Sequence, residues 1–267
     1  MPVDDSRWEI ARRDPGAALR PHLSGAVEGW RQLHGEPAAM REVPFPGVPV
    51  IFNLGDPWGV EDPGAGPARR DSFVAGLHTS PTIVHAAATW ECIELRLTPL
   101  GAHRILGLPM HELSNRTLDS VELLPGVDEL TDRLHASPSW DERFDLVESF
   151  LTRRLVEARP AAPGVEWAWR RLRETGGRAT IRGLADELGW SHRRLIARFR
   201  EQIGLTPKAA ARVLRFDRAV HALASTRAGE LAEIAYECGY FDQAHLNRDF
   251  RELAGTTPTA YLQSRAA

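Results

Sequence analysis

The C-terminal third of the chain contains an internal repeat, and that repeat leaves it few folds to choose from. Ala185, Gly189 and Trp190 recur fifty residues later as Ala235, Gly239 and Tyr240. Beyond these glycines the offset becomes fifty-one. Leu195 then matches Leu246, Phe199 matches Phe250, Arg200 matches Arg251, Gly204 matches Gly255, and Thr206-Pro207 matches Thr257-Pro258. One inserted residue, Phe241, accounts for the change. Self-similarity at a fixed offset marks one supersecondary unit built twice.

Each copy reads as helix, tight turn, helix. In the first, Ile181, Leu184, Ala185 and Leu188 line a short helix that stops at Gly189. A residue without Cβ takes the left-handed conformation that ends a helix and redirects the chain. Ser191 is a natural N-cap for the next helix. There Leu195, Phe199 and Ile203 stand four residues apart and face inward, while Arg193, Arg194, Ala197 and Arg200 face outward. The second copy repeats this logic with Leu231, Ile234, Ala235 and Cys238, then Gly239 and the cap Asp242. Leu246 and Phe250 face inward; Ala244, His245, Arg248 and Arg251 face outward, and Gln243 stands in the exposed first turn. Trp190 and Tyr240 are predicted to be core. Ala185 and Ala235 fall where the two helices come closest, and a larger side chain would force them apart. Two helices held this way present the N-terminal end of the second to the major groove of DNA.

The segment IAYECGYFDQAHLNRDFRELAGTTPTAYL resembles the signature of the AraC/XylS transcription regulators. The matching positions are Ala235, Gly239, Tyr240, Leu246, Arg248, Phe250, Gly255, Pro258 and Tyr261. The resemblance covers residues 165–267 and implies an all-α domain of seven helices containing two helix-turn-helix motifs. A long helix near Lys208–Ser225 would join the motifs, so that both second helices enter adjacent major-groove segments about 34 Å apart. Carried over position by position, the implied base readers are Arg193, Ile196 and Ala197 in the first copy. In the second they are Gln243, Ala244, Asn247 and Arg248. Ser191, His192, Arg200, Lys208 and Arg212 are the implied phosphate contacts, which position a protein without reading sequence. Ile196 and Ala197 offer apolar contact to thymine methyls rather than hydrogen bonds, so specificity is expected to weigh toward the second copy.

Charge separates this region from the rest. Residues 165–267 hold 17 Lys/Arg against 12 Asp/Glu, whereas residues 1–164 hold 16 against 24. A basic C-terminal third beside an acidic remainder suits one domain approaching phosphates and another doing something else. The stretch EARPAAPG (157–164) ends a helical pattern with two prolines and a glycine. The predicted division is therefore a regulatory domain over 1–158, a linker over 159–164 and the DNA-binding domain over 165–267.

Within the first domain, Val48, Val50, Phe52 and Leu54 alternate up to the turn signal Gly55-Asp56-Pro57. Residues 72–77, 82–86 and 90–98 are further strand candidates, and Ile93, Leu95 and Leu97 share one face of the last. Residues 59–71 read as a long exposed loop. Ser139 and Glu142 form a capping box ahead of a helix over 140–157, on which Phe144, Val147, Leu151 and Leu155 share a face. That face either packs on its own domain or serves dimerisation. Short strands followed by helices predict an α+β domain built on a small β-barrel or sandwich. VIFNLGDP, SFVAGL and LTPLGAHRILGLP resemble cupin-like sensor domains of AraC-type regulators, which implies effector binding or dimerisation. Trp30, Trp58, His78 and Trp90 are candidates for a pocket lining, with ordinary packing as the alternative reading.

The rival class is a metal-dependent cupin-like enzyme with an appended DNA-binding module. His78, His85 and His103 invite it, but they show neither His-x-His nor His-x-x-x-His spacing, and no Gly-x-Ser-x-Gly elbow is present. No catalytic residue, metal ligand or cofactor is therefore assigned. Cys92 and Cys238 are too few for a disulfide framework and read as buried reduced thiols. The N-terminal residues lack the apolar stretch of a secretory signal, no apolar run reaches membrane length, and a cytoplasmic location is expected. Candidate partners are double-stranded DNA at two adjacent major-groove segments, a small-molecule effector, a second copy of the chain and RNA polymerase.

Overall fold

The computed structural model describes residues 8–225 and 231–266. Its first half is two antiparallel sheets. Six strands, β1 (Trp8–Arg13), β2 (Val27–Gln32), β9 (Trp90–Leu97), β4 (Val48–Asn53), β7 (Phe73–Ala75) and β10 (Thr117–Asp119), lie side by side in that order. The second sheet runs β3 (Ala38–Glu42), β8 (Thr82–Ala86), β5 (Trp58–Glu61) and β6 (Ala68–Arg70).

The alternation read from the sequence sets which side chain goes where. Successive strand residues point to opposite faces. Val48, Val50 and Phe52 of β4 join Ile93, Leu95 and Leu97 of β9 in one fully buried layer. Ile51 and Cys92 leave on the opposite face and join Trp58, Val60, Phe73 and Val84 between the sheets. The central strands are thus buried on both sides, which is why β4 is almost continuously apolar.

Helices cover the outer face of the larger sheet: α1 (Pro99–Leu106), the short α2 (Ser120–Leu123), α3 (Val127–Ala136) and α4 (Trp140–Glu157). Ser139 caps α4 by accepting from the Glu142 amide at 3.3 Å. Phe144, Val147, Leu151 and Leu155 are buried in the domain's own core, so intramolecular packing occupies the face for which dimerisation was the other reading. At its first turn Trp140 covers Gly29 of β2, where a Cβ would lie 2.4 Å from the indole.

One expectation is corrected, and three strands had not been foreseen. Residues 59–71 are not an exposed loop: β5 and β6 form a hairpin there, with Trp58 and Val60 buried. The Pro- and Gly-rich turn between them hid the alternation, and Gly59 lets the strand approach His85, whose Cβ would stand 3.2 Å from an added Cβ. β1, β2 and β3 carried too little apolar periodicity to be predicted. They pair through their backbones, and β1 and β3 are mostly exposed.

Seven helices follow among the described residues: α5 (Pro163–Glu174), α6 (Ile181–Glu187), α7 (His192–Ile203), α8 (Pro207–Ser225), α9 (Leu231–Glu237), α10 (Gln243–Leu253) and α11 (Pro258–Ala266). The core of the first motif is continuous with that of the N-terminal domain. Ser114 donates to the Gly204 carbonyl at 2.7 Å, at the end of α7. The second motif has its own core around Phe216, Leu246 and Phe250, with Val43 of the N-terminal domain packed on it.

Candidate nucleic-acid interface

The repeat seen in the sequence is a repeat of hydrogen bonds. The Trp190 amide donates to the Ala185 carbonyl at 2.9 Å, and the Tyr240 amide to the Ala235 carbonyl at 2.8 Å. Both bonds close over a left-handed glycine, Gly189 at φ 63° and Gly239 at φ 86°, the geometry that ends a helix and satisfies its last carbonyls. Ser191 then accepts from the Arg194 amide at 3.2 Å, and Asp242 from the His245 amide at 2.7 Å. Thr206 and Thr257 cap the helices that follow, accepting from the amides of Ala209 and Ala260. Ala185 and Ala235 are buried at the helix crossings.

This frame fixes what α7 and α10 show to the outside. Leu195, Phe199 and Ile203 point inward, as do Leu246 and Phe250. Arg193 and Ala197 are exposed on α7 and Ile196 is half-buried; Gln243, Ala244 and Arg248 are exposed on α10 and Asn247 is half-buried. Among the described residues, Arg193, Arg200, Gln243 and Arg248 have no side-chain partner within the protein. Ser191, His192, Arg200 and Lys208 are exposed.

Arg212 is placed differently from the other expected phosphate contacts. It is half-buried, donates from Nε to Asp249 at 2.8 Å and pairs with Glu252 at 2.5 Å. Burial lowers its affinity for a proton, but the two carboxylates outweigh burial and raise its pKa. It ties α8 to α10. Trp190, expected in the core, is half-buried beneath the Arg194 guanidinium, 4.6 Å from the ring centroid; Tyr240 is fully in the core, and burial raises its pKa.

Between the two sheets lies a cavity of about 310 Å³. Trp30, Trp58, His78 and Trp90, singled out from the sequence, all line it, together with Trp8. Trp90 meets Trp58 and Trp8 edge to face, at centroid distances of 5.2 and 5.4 Å. The wall also carries Glu94 and Arg96, paired at 2.8 Å. His78 is held by the Gly76 carbonyl and Asp62, His85 lies exposed near Glu61, and His103 bonds to the Leu108 carbonyl. The three histidines thus serve three separate places, and among the described residues no three His, Cys, Asp or Glu side chains converge as a metal site.

A family model described as a helix-turn-helix domain matches residues 184–264. The HTH-type transcriptional activator RhaS of Escherichia coli O9:H4 (strain HS) is 34% identical over 82 residues, which is 31% of this chain and 29% of RhaS. The C-terminal domain belongs to the AraC/XylS family. The chain spans 29% of the length of the curated relatives it matches, and that shared part is the AraC/XylS domain. A domain of unknown function (DUF6597) matches residues 12–119. Over the whole length, the fold is similar to that of unsaturated fatty acid bound ToxT from Vibrio cholerae. The TM-score is 0.51 at 9% identity, covering 98% of this chain and 97% of that one. A second ToxT structure at 1.65 Å gives 0.50 at 10% identity, covering 97% and 98%. This arrangement of a β-sheet region followed by a helical region is thus a known fold. No described helix is long and apolar enough to cross a membrane.

Sequence reading missed one part of the AraC/XylS domain. Arg178, Arg215 and Arg218 meet in an open cleft between the two motifs, beside Gly239, Phe241 and His245. They are dispersed over forty residues, so no local pattern announces them.

Proposed function

We propose that this chain is a sequence-specific regulator of transcription that binds double-stranded DNA in the cytoplasm and responds to a small molecule held in the N-terminal cavity. The observation that carries the reading is the matched pair α7 and α10, each capped at the same turn, each presenting unpaired arginine outward. Arg193, Ile196 and Ala197 face one major-groove segment; Gln243, Ala244, Asn247 and Arg248 face the next. Arginine and glutamine pair with base edges there. Ser191, His192, Arg200 and Lys208 anchor the backbone.

The cavity supplies control. Its wall is mostly apolar and aromatic, and its one arginine, Arg96, is paired with Glu94 and lies in the field of Glu42. A largely apolar effector fits that chemistry. A cavity of about 150 Å³ holds benzene, so this one suits a molecule of about two rings. Val43 lines the cavity and also packs on the core of the second motif, so occupancy and the placement of α10 share a residue. An effector shifts that placement only by favouring one arrangement over another.

Arg248→Ala tests the base-reading assignment. It should weaken binding to duplexes that the protein selects from a random library by about 1–3 kcal/mol and relax discrimination at one position. Unchanged affinity at fixed salt would refute the assignment.

A further inference from the structure

The arginine cleft has no counterpart in the set of phosphate contacts inferred from the sequence. Arg178 and Arg218 both donate to the Glu237 carbonyl at the end of α9, and Arg215 donates to the Gly177 carbonyl at 3.0 Å. Among the described residues none of the three pairs with a carboxylate. This sets them apart from Arg212, which has two. A guanidinium has five N–H donors, so capping one helix end leaves most of this donor set free. Two glycines make the gathering possible: an added Cβ at Gly176 would stand 2.1 Å from Arg218, and one at Gly239 would stand 2.9 Å from Arg178.

The position of the cleft says what it faces. One wall is Arg178, just ahead of α6, the first helix of the first motif. The other wall holds Phe241 and His245, at the base-reading end of α10. In a helix-turn-helix the first helix crosses the DNA backbone while the second enters the groove. The cleft therefore spans from the backbone-crossing part of one motif to the groove-entering end of the other. On the DNA-binding reading above, the phosphodiester backbone between two adjacent major-groove segments would pass there. Phe241, the inserted residue of the second copy, is 93% exposed at this rim.

We infer that Arg178, Arg215 and Arg218 form a phosphate clamp on the DNA backbone between the two major-groove segments. The clamp rests on the DNA-binding reading above. It holds both motifs to one duplex and contributes affinity without sequence preference, because phosphates carry none.

The test measures binding of the full chain against salt, on duplexes it selects from a random library and on a scrambled duplex of equal length. Arg178→Gln and Arg218→Gln should each reduce the slope of log K against log salt by about 0.9, the value for one phosphate contact. The ratio of selected to scrambled binding should stay at the wild-type value. Arg178→Lys and Arg218→Lys keep the charge and should keep the slope, which guards against glutamine variants that fold poorly. An unchanged slope in a glutamine variant that melts like wild type would overturn the clamp, as would an equal loss of slope in the lysine variants. Intact DNA binding with lost activation of transcription would instead assign the cleft to an acidic protein surface and also overturn it. If the wild type selects no sequence, the regulator reading fails, while the scrambled duplex still decides the clamp.

Discussion

Arg212→Ala separates two roles that the sequence alone cannot separate. Asp249 is 3% exposed, and its Oδ2 has no hydrogen-bond partner, so the Arg212 Nε bond to Oδ1 at 2.8 Å is the carboxylate's main compensation. Removing one partner of a buried ion pair costs about 3–5 kcal/mol, because the other charge is left stranded. The Arg212 side chain is 28% exposed, which lets water relieve part of this and points to the low end, about 3 kcal/mol. The bond to Glu252 adds less than about 1 kcal/mol, since that carboxylate is more than half exposed. For a chain of this size the loss corresponds to a fall in melting temperature of roughly 6–12 °C. Asp249→Ala should cost less, because Arg212 keeps Glu252 and water. Thermal melts of both variants give this asymmetry, and the salt slope of DNA binding supplies the second readout. A clamp between α8 and α10 predicts an early melt for Arg212→Ala and an unchanged slope. Wild-type melting with a slope reduced by about 0.9 would refute the clamp and make Arg212 a phosphate contact.

Three further outcomes follow from packing and charge. Burial pushes the Asp62 carboxyl up, but hydrogen bonds from His78 and Thr117 outweigh it and hold the pKa below the ordinary value. Its stabilisation is present above that ordinary value and lost as pH falls through the folded one. Urea titrations should therefore show wild type losing its advantage over Asp62→Asn below about pH 4; a constant difference down to low pH would contradict this. Phe216 is fully buried with Phe250 at 4.8 Å, so Phe216→Ala should cost about 3–5 kcal/mol and expose residues 231–266 to proteolysis before residues 8–157. Val60→Trp, which fills the cavity between the sheets, should abolish any thermal shift on effector addition while leaving DNA binding intact. A retained shift would move the effector site elsewhere.

Where the sequence repeats, it was a reliable guide to structure. Gly189 and Gly239, Ser191 and Asp242, and Ala185 and Ala235 each carry a local instruction, and the corresponding turns, caps and crossings all formed. Ser139 and the apolar face of α4 were legible for the same reason. The hairpin of β5 and β6 was not, because its four- and three-residue strands are too short to show alternation beside a turn rich in proline and glycine. The four cavity side chains named from the sequence turned out to share one space, but only the facing of the two sheets joined Trp30 and Trp58 to His78 and Trp90.

The sequence by itself determined the double helix-turn-helix and the faces of its helices, since a capped helix of period 3.6 sorts its own side chains into inside and outside. It did not determine what each exposed charge does. Arg178, Arg215 and Arg218 look like scattered surface residues, and Arg212 looks like another of them. Tertiary structure gathered the first three into a cleft where none of them is paired with a carboxylate, and gave the fourth to Asp249 and Glu252. Charge acts over a few ångströms of space rather than along the chain, so the partner of an arginine is fixed only when distant helices have packed.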